Sequence, residues 1–440
     1  MDRPAGRKTR RIIRTGILAL VFAGLVLFLI YESVSTGKKH TEDKNVVTLN
    51  LVYAYQNAQW HQGIQAIADA FMLEHENIRI NTQVQYEDKV YEDILYKLQA
   101  RDGLGDIVQL KTPERYARED LLAPMDSSFG ELLDGYVSYD GKIYGVEAIG
   151  STSGIVYNRE IFEKYGLEAP ADYEDFLGIC ETLKRHGVTP IGIAGGDLWH
   201  MEFWVNHFLH ADILSKDPDW LEKLGDGGAS WQDPMPLAML EHLRQLFENG
   251  YVNEDWSVMK DGNLSYAMSQ GEMAMVYTGS WTARELQKLD EDIRLGWFYV
   301  PDVSGNIIIS QNQDVYWSLT RACGADAEKY AAAMSFLEYF YSPQVYAALC
   351  QDTYGFPVTR EKYSYTETDI QLEIKNKFCT DDTHISDYIG NEDTPQGFEK
   401  SMLKLILSMA GGEVDVQETA RQLDALWAYY DSQEKEAYEN

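Results

Sequence analysis

Residues 271–281 read GEMAMVYTGSW, and this stretch is the best indicator of how the chain folds. A glycine opens it, and the apolar residues that follow are typical of a buried strand. Thr278, Gly279 and Ser280 then form a turn of small residues, in which Ser280 is a good N-cap for a helix. Ligands of open α/β sheets bind where a strand ends and the chain turns into the next helix. The stretch therefore predicts Trp281 at the edge of a cleft.

Trp281 would present a flat apolar face and one N–H donor to that cleft. Such a face suits a pyranose ring, which has an apolar C–H side and a polar rim. The alternative is a core strand followed by a core tryptophan, because aromatic residues pack inside proteins more often than they recognise ligands.

The start of the chain predicts a signal sequence or a membrane anchor. Residues 1–14 carry six Lys and Arg side chains and predict a basic cytoplasmic tail. The uncharged apolar run 15–31 follows and is at the lower limit of length for crossing a bilayer. Residues 15–34 are thus expected to form a signal or transmembrane segment. As an anchor, this segment would hold the protein at the outer face of the cytoplasmic membrane. Cleavage after Ser35, which would release a secreted protein, is the alternative to an uncleaved anchor.

Charge narrows the range of partners. Residues 1–40 carry eight Lys and Arg against Asp2 and Glu32, a net charge of +6, so the remainder of this chain of net charge −32 carries −38. An exterior this acidic does not bind nucleic acid or anionic lipid through its general field. No nucleic-acid partner is therefore expected, and contact with the membrane is expected only through the N-terminal segment.

Length and pattern predict an α/β fold with two lobes. The roughly 400 residues beyond the apolar run exceed what one hydrophobic core usually supports. Strands are predicted over 46–55, 78–86 and 106–110 with helices over 63–74 and 91–100 between them, an order that predicts a parallel sheet. Further helices are predicted over 173–186, 201–209, 237–249, 327–341 and 417–430.

Several motifs occur in an order that resembles one family. They are FMLEHENIRIN (71–81), Gly105 followed by Asp106-Ile107-Val108, the segment 140–193 with Tyr157-Asn158, GEMAMVYTGSW, AEKYAAAMSFLEYFYSPQVYA (327–347) and Tyr354-Gly355-Phe356-Pro357. In these the chain resembles the extracellular solute-binding proteins of ABC sugar importers, which include maltose-binding protein. The family's acylated cysteine is missing, because the first cysteine in the chain is Cys180.

The resemblance implies a type II fold of two α/β lobes that close over a ligand. It implies a first lobe of residues 45–147 and 303–346 and a second lobe of residues 148–300 and 354–440, with hinge crossings near 144–148, 299–303 and 347–353. It further implies a non-catalytic carbohydrate-binding subunit that delivers a sugar or oligosaccharide to the permease subunits of an importer. At the position of a ligand-stacking tryptophan in maltose-binding protein, this chain offers only Phe398.

The resemblance also implies a set of ligand contacts. Amide, carboxylate and ammonium groups match the hydroxyls of a sugar, because a hydroxyl both donates and accepts hydrogen bonds. For each position the alternative is an ordinary surface or hinge residue. The implied contacts are Trp281, Trp199, Asp197, Glu147, Lys111, Tyr55, Gln56, Asn57 and Trp60.

Two other kinds of site have weaker support in the sequence. His200, His207 and His210 cluster on a predicted helix without the carboxylate of an H-E-x-x-H motif, so solvated or capping histidines are expected and neither a metal nor a cofactor is. The four cysteines lack C-x-x-C spacing. An extracellular disulfide between Cys323 and Cys350 is possible.

Two alternative functions stay open at this point. One is a membrane-tethered sugar sensor, which the sequence does not separate from an importer subunit. The other is a carbohydrate-active enzyme, which would need paired carboxylates across a cleft. With 70 Asp and Glu residues such pairs arise by chance, and no nucleophile elbow, phosphate loop or zincin signature is present in the sequence.

Overall fold

The computed structural model describes residues 46–54, 57–85, 105–312 and 315–439. The expected signal or transmembrane segment, the helix predicted over 91–100, and Tyr55 and Gln56 lie outside these ranges. Within them, no helix combines the length and the apolar character needed to cross a membrane.

A first sheet contains seven of the described strands, in the order β2-β1-β3-β12-β6-β5 with β4 beside β12. The strands are β1 (Val47–Ala54), β2 (Ile78–Gln85), β3 (Ile107–Leu110), β4 (Leu122–Ala123), β5 (Tyr136–Tyr139), β6 (Lys142–Glu147) and β12 (Tyr316–Thr320). β1 pairs in parallel with β2 and β3, as the order of elements predicts. β12 instead runs antiparallel to β3 and β6, so the sheet is mixed rather than wholly parallel. The reason is that β12 enters from the second sheet and not through a βαβ crossover.

A second sheet contains six described strands, in the order β13-β11-β7-β9-β8 with β10 beside β7. The strands are β7 (Ser151–Asn158), β8 (Thr189–Gly192), β9 (Met273–Gly279), β10 (Leu295–Phe298), β11 (Ile308–Asn312) and β13 (Thr383–Ile385). β9 is buried along its whole length, which confirms the strand predicted within GEMAMVYTGSW. It runs parallel to β8 and antiparallel to β7.

Helices surround both sheets, and every helix predicted within the described ranges is present. Those near the first sheet are α1 (Ala58–Glu74), α2 (Pro113–Arg118), α3 (Phe129–Leu132), α11 (Arg321–Ala325), α12 (Ala327–Phe340) and α13 (Pro343–Thr353). The others are α4 (Arg159–Tyr165), α5 (Tyr173–Arg185), α6 (His200–Leu209), α7 (Trp220–Gly225), α8 (Pro234–Glu248), α9 (Asp261–Ser269), α10 (Trp281–Leu289), α14 (Asp369–Phe378), α15 (Phe398–Ala410) and α16 (Val416–Glu439). A π-helical turn, His210–Leu214, continues α6.

Separate hydrophobic cores lie beneath the two sheets, which gives the two lobes expected for a chain of this length. In the first lobe the indole rings of Trp60 and Trp317 stack with centroids 6.0 Å apart. In the second, Phe398 is fully buried and stacks on Trp231 at 6.1 Å. Phe398 is therefore a core residue, and its aromatic ring does not take the place of a ligand-stacking tryptophan.

Strand pairing indicates where the chain passes between the sheets. β6 ends at Glu147 and β7 begins at Ser151, close to the first predicted crossing. β11 still pairs with β7, and β12 is the next strand of the first sheet. The second sheet thus extends to Asn312, and the first sheet resumes at Tyr316. The lobe boundaries as a whole stay a prediction.

Candidate functional site

A cavity of about 320 Å³ lies where the loops of the first sheet face elements of the second. Its first-sheet side includes Asn57, beyond the end of β1, and Lys111, beyond the end of β3. Its other side is built from β7, β11, α6, the start of α10 and the 386–397 loop. The volume is within the range of about 300–1,000 Å³ that is typical of small-molecule sites. The location also agrees with the binding of ligands at the carboxyl ends of strands in α/β sheets.

Five of the nine residues implied by the resemblance line this cavity. They are Asn57, Trp60, Lys111, Trp199 and Trp281. Tyr55 and Gln56 lie outside the described residues. Asp197 and Glu147 are not part of the lining.

Trp281 is the first residue of α10, and its ring folds back over the preceding turn. A Cβ atom on Gly279 would lie 2.0 Å from that ring, so the turn has to be glycine in this arrangement. Ser280 precedes the helix as predicted, yet its hydroxyl donates to the carbonyl oxygen of Tyr354 at 2.9 Å and caps nothing. The reason is that Ser280 has helical backbone angles, whereas a capping side chain needs an extended residue.

Three aromatic side chains form one wall of the cavity, and we call them the aromatic wall: Trp199, Phe203 and Trp281. The ring of Phe203 lies 6.0 Å from that of Trp281 and 5.7 Å from that of Trp199, between centroids. The indole Nε1 of Trp199 is buried and has no hydrogen-bond partner among the residues that the structure describes.

Asp197 holds the loop that carries Trp199 and does not itself face the cavity. Its Oδ1 accepts from Nζ of Lys260 at 2.7 Å, and its Oδ2 accepts from the backbone N–H of Asp261 at 2.9 Å. Gly196 in the same loop lies against backbone, because a Cβ there would come within 2.6 Å of the carbonyl oxygen of Met259. Asp197 thus positions this loop, and its assignment as a ligand contact stays a prediction.

Glu147 is also away from the cavity. It is 3% exposed, and a Cβ on Gly135 would lie 1.8 Å from its Oε2. Its carboxylate therefore packs against Gly135, the residue that precedes β5. The resemblance fixed the position of Glu147 near the hinge but not the direction of its side chain.

Lys111 reaches across the cavity from the first lobe. Its Nζ lies 2.9 Å from Oε1 of Glu399 and 3.6 Å from Oε2 of Glu202. The same ammonium lies 5.0 Å from the centroid of the Tyr388 ring. All three partners belong to elements packed on the second sheet, so Lys111 connects the two lobes.

Asn57 and Trp60 have structural roles in addition to lining the cavity. Oδ1 of Asn57 accepts from the backbone N–H of Trp60 at 2.8 Å and so caps α1. Trp60 is 1% exposed and is held against Trp317. Both residues therefore form a fixed edge of the cavity.

Sequence reasoning missed a group of hydrogen-bonding side chains, which we call the polar floor: Ser151, Ser153 and Asn312. Nδ2 of Asn312 donates to Oγ of Ser153 at 2.9 Å and to Oγ of Ser151 at 3.2 Å. The two serines alternate along β7 and so face the same side of the sheet. That alternation was visible in the sequence, but the pairing of β7 with β11, which supplies Asn312, was not.

Residues of α6 and the 386–397 loop were missed as well. Glu202, Phe203 and Asn206 line the cavity from one face of α6. Oδ1 of Asn206 also accepts from the backbone N–H of Ile389 at 3.3 Å and so attaches the loop to the helix. The helical spacing of these residues after Trp199 was the available signal.

The three histidines are core residues, which corrects their interpretation as solvated or capping side chains. His200, His207 and His210 are 0%, 2% and 3% exposed. Burial lowers their pKa values to about 4, 3 and 4, so each ring is neutral at neutral pH. Nε2 of His210 donates to the carbonyl oxygen of Asp387 at 2.6 Å, and its Nδ1 accepts from Oγ of Ser310 at 3.0 Å.

Among the residues described by the structure, no group of three or more His, Cys, Asp or Glu side chains could hold a metal ion. Cys323 and Cys350 are buried free thiols, as is Cys180, and Cys379 is an exposed one. A disulfide between Cys323 and Cys350 is therefore absent from this structure.

Two α/β lobes around a cavity at their strand ends define the class of two-lobed solute-binding proteins. The sequence model of the bacterial extracellular solute-binding protein family matches residues 66–373, well over half of the chain, and the chain belongs to that family. It is 22% identical over 339 residues to the melibiose/raffinose/stachyose-binding protein MelE of Bacillus subtilis, covering 74% of this chain and 76% of that one. It is 24% identical to an uncharacterised ABC transporter extracellular-binding protein of Pyrococcus horikoshii, covering 66% and 70% of the two chains.

Solved structures share the fold. A chitin oligosaccharide binding protein superposes with a TM-score of 0.79 at 18% identity, covering 88% of this chain and 100% of that one. A sugar transporter from Bacillus licheniformis in complex with stachyose has a TM-score of 0.74 at 19% identity, covering 87% and 100%. Both structures are of binding proteins or transporters. Because the sequence identities are 18% and 19%, the similarity shows a shared fold.

Proposed function

We propose that this protein is the extracellular sugar-binding subunit of an ABC importer, which captures a sugar or oligosaccharide between its lobes and delivers it to the permease subunits. The observation that carries the proposal is the pairing of the aromatic wall with the polar floor in one cavity. Flat apolar rings match the C–H face of a pyranose, and fixed hydroxyl and amide groups match its rim. Family membership and the sugar ligands named for several relatives support the same assignment.

Trp281 and Trp199 are proposed as stacking residues in this cavity. Lys111 and Asn57 are proposed to meet sugar hydroxyls, with Trp60 as a wall. Tyr55 and Gln56 stay predictions from the resemblance. Binding and closure constitute the proposed activity, with no catalytic step.

The lobes are proposed to close over the sugar about a hinge of several chain crossings. The crossing after β6 stays near 144–148, and strand pairing favours a later second crossing, beyond β11. The N-terminal segment 15–34 is proposed to hold the protein at the outer face of the cytoplasmic membrane.

Isothermal titration calorimetry against a sugar panel tests the proposal. The panel contains raffinose, stachyose, mannobiose and chitin oligosaccharides, together with amino acids and a dipeptide as non-sugar solutes. We expect saturable binding of at least one sugar and none of the amino acids or the peptide. Saturable binding of an amino acid or peptide, with no response to any sugar, would contradict the proposal.

A further inference from the structure

A second set of contacts joins the lobes beside the cavity, where the 386–397 loop meets α2; Arg115 and Thr394 line the cavity, whereas Glu392 and Glu114 do not. Oε1 of Glu392 accepts from the backbone N–H of Glu114 at 2.9 Å, and its Oε2 accepts from the backbone N–H of Arg115 at 3.1 Å. α2 follows β3 of the first sheet, whereas the loop follows β13 of the second. One carboxylate thus binds two adjacent amides of the opposite lobe.

These two amides lack a cap from their own side of the cleft. α2 begins with Pro113, and the preceding Thr112 makes no side-chain capping bond. The first N–H groups of a helix have no partner within the helix and need one elsewhere. Because a carboxylate also interacts favourably with the helix dipole, Glu392 replaces the missing cap.

Arg115 of the first lobe in turn donates hydrogen bonds to the 386–397 loop. Its Nη2 donates to the carbonyl oxygens of Thr394, at 2.7 Å, and Glu392, at 3.2 Å. Its Nε lies 3.5 Å from Oε1 of Glu434, on α16. Arg115 is 9% exposed, so this contact is largely shielded from solvent. Backbone and side chain of α2 are therefore both engaged by the second lobe.

The loop is braced on its own lobe before it meets α2. The backbone N–H of Gly390 donates to Oγ1 of Thr394 at 2.9 Å, and that of Gln396 donates to Oε2 of Glu434 at 3.0 Å. His210 binds the carbonyl oxygen of Asp387. A braced loop loses little conformational entropy when it binds, so its contacts with α2 contribute more to closure.

We propose that Glu392 is a positioning residue for ligand capture, which caps α2 across the cleft and so favours the closed arrangement of the lobes before any sugar binds. A ligand stabilises one arrangement only by contacts absent from the other. A contact that favours closure by itself raises the closed fraction and hence the apparent affinity. The effect on affinity rests on the proposed sugar-binding function, whereas the contact itself does not.

Burial raises the pKa of Glu392, and Arg115 and the two backbone N–H groups oppose that rise. The contact therefore combines a desolvation cost with hydrogen bonds that offset it. Substitution of Glu392 removes the hydrogen bonds and the desolvation cost together, and therefore measures the net effect of the contact.

Hydrogen–deuterium exchange of the full chain without sugar tests the contact directly. In Glu392→Ala, we expect the amides of Glu114 and Arg115 to exchange at least about tenfold faster, since charge-assisted bonds to them are lost. Glu392→Gln keeps one acceptor oxygen and should give an intermediate rate. The matched control is Glu254→Gln, which removes one exposed charge of the second lobe and should leave α2 unchanged.

Calorimetry with a sugar that binds the wild type gives the second readout. We expect Glu392→Ala to weaken binding about threefold or more, with Glu392→Gln between it and the wild type. Unchanged exchange at α2 in both variants would overturn the proposal, and so would faster exchange with unchanged affinity. If the wild type bound no sugar, the proposed function would fail while the exchange result still decided whether Glu392 caps α2.

Discussion

At Trp281 a rigid glycine turn, an aromatic neighbour and the start of α10 coincide at the cavity. Its ring is fixed between the glycine turn and Phe203, so a sugar can stack on it without a rearrangement. We expect Trp281→Ala to weaken sugar binding at least about tenfold, because stacking contributes beyond simple burial. Calorimetry with the cognate sugar measures the loss.

The control for this change is Tyr429→Ala, which removes an aromatic ring that is 57% exposed and does not line the cavity. It should bind sugar like the wild type. Equal affinities of Trp281→Ala and wild type would reassign Trp281 to packing.

We expect Asp197 to influence ligand binding through the loop that it holds. Removing its two hydrogen bonds, to Lys260 and to the amide of Asp261, frees the segment that places Trp199. We expect Asp197→Ala to weaken binding about threefold to tenfold, as for the loss of about 1 kcal/mol of preorganisation. Asp197→Asn keeps an acceptor for the amide and should recover part of the affinity. Loss of binding with an unchanged tryptophan fluorescence spectrum would argue that Asp197 contacts the sugar itself.

At the scale of elements, the packing of α9 against α10 makes stability depend on pH. Burial raises the pKa of Glu285 to about 7 and that of Asp261 to about 6, and a neighbouring carboxylate adds to each rise. Their ordinary values are 4.5 and 3.8. Because the folded-state values are raised, the stabilisation is complete below the ordinary values and is lost as the pH rises through the folded-state ones.

Glu285→Gln should therefore stabilise the protein at pH 8 by roughly 1–3 kcal/mol and change little at pH 4. Chemical denaturation at the two pH values measures this difference. The exposed Glu272→Gln is the matched control and should show no such dependence. A Glu285→Gln variant with the same stability as the wild type at pH 8 would refute the pH dependence.

The elements that the sequence predicted correctly are those whose structure depends on residues close together in the sequence. β9, its small-residue turn and Trp281 lie within 11 residues, and helix periodicity is equally local. The polar floor was not predictable, because Asn312 meets Ser153 only through the pairing of β11 with β7. The side-chain direction of Glu147 was not predictable for a related reason: successive residues of a strand face opposite sides, so a matched position does not fix a side chain's direction.

At the scale of the whole molecule, two side chains link the lobes: Lys111 extends from the first lobe to the second, and Glu392 extends from the second lobe to the first. The cavity lies between the two lobes, so a bound sugar adds bridging contacts that an open arrangement lacks. We expect the radius of gyration from small-angle X-ray scattering to decrease on adding saturating cognate sugar. Trp281→Ala at the same sugar concentration should show a smaller decrease. A radius that stayed constant under saturation would argue against hinge closure.

The N-terminal segment 15–34 is the proposed membrane anchor, and its retention or cleavage can be tested. Residues 15–31 carry no charge and lie between Arg14 and Glu32, and they contain no cysteine for lipid attachment. We expect the protein to remain in the membrane fraction through this segment, because the basic flank favours retention of the N-terminus in the cytoplasm. Mass spectrometry of the protein from its native host should detect peptides that precede residue 35 in that fraction. A mature chain that begins near Thr36 in the medium would contradict the anchor, and it would leave sugar binding unaffected because the described lining of the cavity begins at Ala54.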